Sequence, residues 1–230
     1  MEQILQASHA ALRVIKDRRE KGPTRPTLTR DEMKLFISKN LGRSVVGTVF
    51  CFLALFALRF GSLYEMRPKD VEFVDQVANI TVVHEKVRRE EGGPRVISGF
   101  PINLGVWSPT TAALWQSVMD EFVKEVKHGI RSILYRIPEY PKFMEELKPL
   151  LWEVAPRLRS VTLVGTHVAR RTGASLHILE GWAERTAMYV GGWENIKEFE
   201  KYLVSIETVT ELDARAQATG VRYTNGACRA

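Results

Sequence analysis

THVARRTGASLHILEGWAERTAMYVGGWENIKEFEKY, residues 166–202, is the stretch from which the rest of this chain is read. Thr166 is of the residue type that caps a helix N-terminus, and the residues after it to Leu179 are mostly good or neutral helix formers. His167 and Arg170 stand three positions apart, so they share one helix face and can reach a single anion together. Gly191-Gly192 then breaks the chain, Trp193 follows, and a further amphipathic segment carries Tyr202. A tyrosine hydroxyl near a histidine and an arginine is a nucleophile beside groups that stabilise charge. Taken singly, each has a plainer reading: a capped helix start, a packing anchor at a turn, an aromatic at the edge of the core. What joins them is spacing, with Trp193 23 positions after Arg170 and Tyr202 nine after Trp193.

The 230 residues suit one domain with flanking segments. Charged residues at 26% and hydrophobic ones at 45% are those of a globular protein rather than a disordered one. A net charge of +6 and a pI near 9.4 favour a polyanionic partner, nucleic acid ahead of a membrane surface. The two cysteines, Cys51 and Cys228, make neither a disulfide framework nor a metal site. Cys51 lies in an apolar run, as a buried reduced thiol of an intracellular protein would. That run, residues 45–58, is shorter than the roughly 20 residues of a spanning helix and is bracketed by Arg43 and Arg59. It reads as a buried core helix, and the N-terminus lacks the pattern of a signal peptide.

Outward from the central stretch, residues 2–20 read as an amphipathic helix with a basic far end, followed by a GPTRPT linker. Thr29 and Glu32 have capping-box spacing for a helix running to about Lys39. The buried helix from about Arg43 to Leu58 follows and delivers Arg59. ITVVH, residues 80–84, and RVIS, residues 95–98, read as two strands about an EEGG turn, with Lys86 near that turn. Ser108-Pro109 opens a helix to about Lys127, and a second helix is expected over 145–158, shortened or kinked by Pro149 and Pro156. Trp107, Trp115 and Trp152 read as core. Residues 205–218 carry a narrow apolar stripe that suits docking on another surface. The fold class is thus α+β, mainly α-helical, with a small antiparallel β-sheet or hairpin.

HVARRTGAS, the GGW turn and Tyr202 nine residues on resemble the tyrosine recombinase (phage integrase-like) family, in which HxLRRTGA, GGW or GGH, and a tyrosine follow in this order. The resemblance implies a division into a basic helix and linker (1–27), the trailing edge of an amino-terminal DNA-gripping domain; a catalytic domain (28–204); and a tail helix with its end (205–230). It implies DNA breaking and rejoining, as in recombination and integration of a mobile element. Arg59, in ALRFGSLYEM, takes the place of the family's first catalytic arginine, and Lys86 that of its hairpin lysine. Ser62 departs from the pattern, since an acidic residue is usual three positions after that arginine. Arg18, Arg19, Lys21, Arg88, Arg89 and Arg171 are candidate DNA contacts, and phosphate contacts of this kind position DNA without specifying its sequence. The tail helix is expected to pack on an adjacent protomer.

The chemistry implied is metal-free and needs no cofactor. Arg59 and Arg170 would each donate paired hydrogen bonds to the non-bridging oxygens of a phosphodiester, which lysine cannot do bidentately. His167 would stabilise the same oxygens or take the tyrosine proton. Trp193 would offer its indole N–H and pack against the nucleophile's helix. Lys86 would protonate the departing 5′-oxygen, and Tyr202 would hold the strand as a 3′-phosphotyrosine. Bond energy is conserved in that link, and the sequence has no carboxylate cluster at metal spacing and no phosphate-cradling glycine loop. Partners are then double-stranded DNA and further copies of the chain, and the location is wherever DNA is, in a nucleus, cytoplasm or nucleoid. Two other readings share these residues: a type IB topoisomerase-like relaxing enzyme acting as a monomer, and an inactive DNA-binding relic.

Overall fold

The computed structural model describes residues 26–83, 94–161 and 164–203. Its first helix, α1 (Arg30–Asn40), starts at the expected capping box. The Thr29 hydroxyl accepts from the Glu32 amide at 3.0 Å, and the Glu32 carboxylate accepts from the Thr29 amide at 2.8 Å. Glu32 also receives Arg157 Nε at 3.0 Å, which ties the start of α1 to the 3₁₀ turn Pro156–Ser160.

The centre is α2 (Val45–Leu55), capped by Ser44 Oγ on the Gly47 amide and buried at every residue from Val46 to Leu55. A helix apolar all round needs neighbours on all sides. They are α1 through Phe36 on Phe50, α4 (Pro109–Lys127) through Phe122 on Phe52 and Phe56, and α6 (His167–Leu179). The approach of α6 is close because Gly173 has no side chain: a Cβ there would lie 1.9 Å from the Ala54 carbonyl oxygen. Gly173→Ala is expected to cost about 3 kcal/mol, the upper end of ordinary overpacking, because the obstacle is backbone. Urea unfolding of the variant checks this. The buried Cys51 thiol is likewise pushed up in pKa by burial, which makes it inert. Among the described residues no helix is long and apolar enough to cross a membrane.

The sheet is antiparallel in the order β1 (Val71–Val74), β2 (Val77–Val82), β3 (Arg95–Pro101). β2 alternates as a half-buried strand should, with Ala78, Ile80 and Val82 inward. The reading of two strands at 80–84 and 95–98 missed β1, whose four residues are too few for alternation to stand out. β1 joins β2 through a two-residue turn at Asp75-Gln76, with Asp75 at φ 53°.

α4 starts at Ser108 as expected, its hydroxyl accepting from the Thr111 amide at 3.0 Å. The helix expected over 145–158 is instead α5 (Tyr140–Val154), followed by the 3₁₀ turn. It begins earlier because Pro141 occupies the first turn, where its missing N–H costs nothing. Pro149 stays inside the helix on an exposed position. Trp115 is fully buried as expected, while Trp107 and Trp152 are half-buried at the edge of the core.

His177, on the inner side of α6, is a core histidine. Its Nε2 meets the Leu55 carbonyl at 2.8 Å, and its ring stacks on Trp182 at 3.7 Å with planes 2° apart. Burial pulls its pKa down to about 3, with the Leu55 hydrogen bond acting the other way. The native state therefore holds the ring neutral while the unfolded chain protonates it near 6.5. Its stabilising share is complete above about pH 6.5 and is lost as pH falls toward 3, by up to about 1.4 kcal/mol per pH unit. Urea midpoints of the parent are expected to fall more steeply over that window than those of His177→Gln.

Candidate active site

Three stretches of chain meet at one open cavity of about 360 Å³, lined by Leu58, Arg59, Phe60, Gly61, Tyr140, Thr166, His167 and Arg170. The end of α2 supplies the first wall. Leu58 N–H donates to Leu53 O and Ala57 N–H to Ala54 O, a Schellman turn with Ala57 in the left-handed position at φ 46°. Glycine is usual there, and an alanine holds this shape at a cost of about 1–2 kcal/mol. The turn leads to Arg59, which precedes the short α3 (Phe60–Tyr64) and is half-buried. Ser62 is buried in α3.

α6 supplies the opposite wall, with His167 at its first residue and Arg170 one turn on. Thr166 does not cap this helix. Its backbone is already helical, at φ −59° and ψ −18°, and its side chain makes no cap hydrogen bond; it lines the cavity instead. His167 is exposed and Arg170 is 1% exposed. Arg170 Nη1 donates to Ala57 O at 2.6 Å and to Gly191 O at 2.7 Å, so one nitrogen bridges two turns. Nε and Nη2 have no acceptor at hydrogen-bonding geometry among the described residues. Burial, then the positive charge of Arg59, lowers its pKa to about 9, with Tyr202 opposing and Arg95 adding repulsion. A desolvated cation repelled by its neighbours and holding donors in reserve is poised for an anion.

Behind Arg170 lies the GGW turn. α7 (Glu184–Gly191) ends in a second Schellman turn, Trp193 N–H to Met188 O at 2.9 Å and Gly192 N–H to Tyr189 O at 3.3 Å. Gly192 takes the left-handed position at φ 72°. Gly191 is needed for a different reason: Trp193 folds back over it, and a Cβ there would meet the indole at 1.9 Å. The Trp193 ring then receives the Arg170 guanidinium at 3.8 Å from its centroid. The last described helix, α8 over residues 196–203, brings the Tyr202 ring to 5.0 Å from Trp193, 5.6 Å from the Arg170 guanidinium and 5.9 Å from that of Arg171. Trp193 Nε1 is buried without an acceptor among the described residues, so packing is what the indole contributes here.

Arg59, His167 and Arg170 are thus brought to one cavity, while Trp193 and Tyr202 lie against Arg170, with Arg171 beside Tyr202, and do not line it. Lys86, Arg88 and Arg89 lie outside the described residues, as do Arg18, Arg19, Lys21, Cys228, the expected helix at 2–20 and the expected tail helix at 205–218. Tyr140 at the cavity was not expected. It sits where α5 starts, its ring edge-on to Phe60 at 5.3 Å, and no spacing in the sequence marks it.

This mainly helical domain with its three-stranded antiparallel sheet is the fold of tyrosine recombinase catalytic regions. The Tn1549 transposon integrase, solved with circular intermediate DNA, is similar over 83% of this chain and 66% of that one, at TM-score 0.53 and 17% identity. A lambda integrase dimer bound to a COC′ core site is similar over 81% of this chain and 50% of that one, at TM-score 0.52 and 18% identity. The chain therefore spans less than two-thirds of those integrase chains. No protein-family model and no curated protein matches the sequence.

Proposed function

We propose that this chain is the catalytic domain of a site-specific tyrosine recombinase that cuts and rejoins double-stranded DNA. The observation that carries the reading is Arg170, which lines the cavity with Arg59 and His167 while its other side lies against Trp193 and Tyr202. A phosphodiester in the cavity would take the two guanidiniums on its non-bridging oxygens. The Tyr202 oxygen then attacks phosphorus, its proton passing to His167 or water. The P–O5′ bond breaks as the O–P bond to tyrosine forms, and Lys86 delivers a proton to the leaving 5′-oxygen. Reversal by a new 5′-hydroxyl rejoins the strand, without net loss of bond energy. The integrases of similar fold were solved on DNA, one as a dimer, which supports DNA and further copies of the chain as partners. The protein would work wherever its DNA is held, and its tail would link protomers.

The test uses nicked suicide duplexes with a randomised core. A covalent adduct that survives denaturation is expected, and the nucleotide-bearing peptide should map to Tyr202. No adduct, or an adduct on Tyr140 or another residue, would overturn the reading. Relaxation of supercoiled plasmid by protein too dilute to assemble would point to topoisomerase-like action instead.

A further inference from the structure

We infer that Arg95 and Tyr189 are positioning residues: together they lock strand β3 to the end of α7, and so hold the Gly191-Gly192-Trp193 turn against Arg170. The inference rests on the recombinase reading above.

Arg95 opens β3 and is 4% exposed, a rare setting for a guanidinium. Its Nη1 donates to Tyr189 O at 2.7 Å and to Val190 O at 3.0 Å. These carbonyls belong to the last turn of α7, Tyr189 O also accepting from Gly192 N–H at 3.3 Å, and a cation there meets the negative end of the helix. The next carbonyl, Gly191 O, is the one that accepts from Arg170. Three consecutive carbonyls are thus capped by two arginines, one from the sheet and one from the cavity. Tyr189 closes the same joint from the other side. Its hydroxyl donates to Val96 O at 2.8 Å and accepts from Ser98 N–H at 3.1 Å. Arg95, Val96 and Ser98 of β3 thus bond to the end of α7 and fix the register between strand and helix.

The consequence is geometric. β3 follows residues 84–93, which contain Lys86, and α7 leads through Gly192 to Trp193 and then Tyr202. A loosened joint lets the GGW turn move off Arg170 without emptying the cavity or removing a charge from it. The loss then falls on the chemical step, where a misplacement of about 1 Å costs on the order of a hundredfold, and not on DNA association.

Tyr189→Phe decides the matter, because Tyr189 is 47% exposed and its ring is kept, so the variant folds. Arg95→Lys and Arg95→Met accompany it. Two readouts are taken on each: the single-turnover rate constant for adduct formation, kept apart from its amplitude, and hydrogen exchange of peptides over 187–195. The inference expects exchange there to quicken about tenfold in Tyr189→Phe and more in Arg95→Met. It expects the rate constant to fall about tenfold in Tyr189→Phe and about a hundredfold in Arg95→Met, with partial recovery in Arg95→Lys. Amplitude and DNA affinity should stay within about twofold in Tyr189→Phe. Unchanged exchange in Tyr189→Phe, or a loss confined to amplitude, would overturn it. Absence of any adduct in the parent would defeat the recombinase reading alone, while the exchange data still decide the joint.

Discussion

Tyr202→Phe is expected to lose the covalent DNA adduct altogether while binding DNA as the parent does. The substitution removes one oxygen and nothing else that the structure uses to hold this segment. The ring contacts with Trp193 at 5.0 Å and with the guanidiniums of Arg170 and Arg171 remain available to phenylalanine. The hydrogen bond from Ser175 Oγ to the Tyr202 carbonyl, at 3.3 Å, is to backbone and is untouched. Stability should therefore change by about 1 kcal/mol or less, the scale of the interaction that the Tyr202 hydroxyl makes with the Arg170 side chain. The variant lacks the oxygen that would attack phosphorus, so the rate of the chemical step should fall at least about 10⁴-fold, some 5.5 kcal/mol at 1.36 per decade. The check is a denaturing gel of suicide-substrate reactions beside an equilibrium binding titration. An adduct that persists in the phenylalanine variant would remove Tyr202 from the mechanism, and Tyr140, which lines the cavity, would be the first residue to try next.

The parts legible in the sequence are those whose cause is local. The capping box at Thr29 and Glu32, the Ser108-Pro109 start and the all-apolar α2 each announce themselves within a few residues, and the structure has them there. The GGW turn was visible as a break, but not why both glycines are required: Gly192 for a left-handed turn, and Gly191 because Trp193 lies on it. Tertiary causes were not legible. Thr166 has a capping side chain and does not cap, since the chain entering α6 is already helical. Gly173 looks like a weak spot in a helix, and its reason is the Ala54 carbonyl of α2, more than a hundred residues earlier. Arg95 begins a strand like any solvated arginine, and only the fold shows that α7 ends on it. Ala57 in a left-handed turn breaks the preference for glycine and so gave no signal at all. What the spacing of His167, Arg170, Trp193 and Tyr202 did carry was their meeting about one guanidinium, because short helices and a tight turn leave them little choice.

Arg170→Lys separates charge from geometry at that guanidinium. At the acid end of the pH range a lysine keeps the positive charge that attracts DNA, so association and its salt dependence should change little there. It cannot keep the fork. In the parent, Nη1 is spent on Ala57 O and Gly191 O, which leaves Nε and Nη2 for a phosphate. A single ammonium must choose between holding the two turns and reaching the phosphate, and it also loses the flat face that lies on Trp193 at 3.8 Å. The rate of adduct formation is expected to fall by about 10²–10³, the effect of losing a donor aimed at the transition state. A second signature distinguishes this from a general disturbance. The burial and the Arg59 charge that pull the arginine down to about 9 act on the lysine from a lower starting value, bringing it toward neutrality. The residual activity of Arg170→Lys should therefore fade as pH rises through the neutral range, where the parent, still charged, keeps its rate. Single-turnover rates from pH 6 to pH 8.5 measure this. A variant within about threefold of the parent across that range would show that Arg170 holds the turns and does not act on the phosphate.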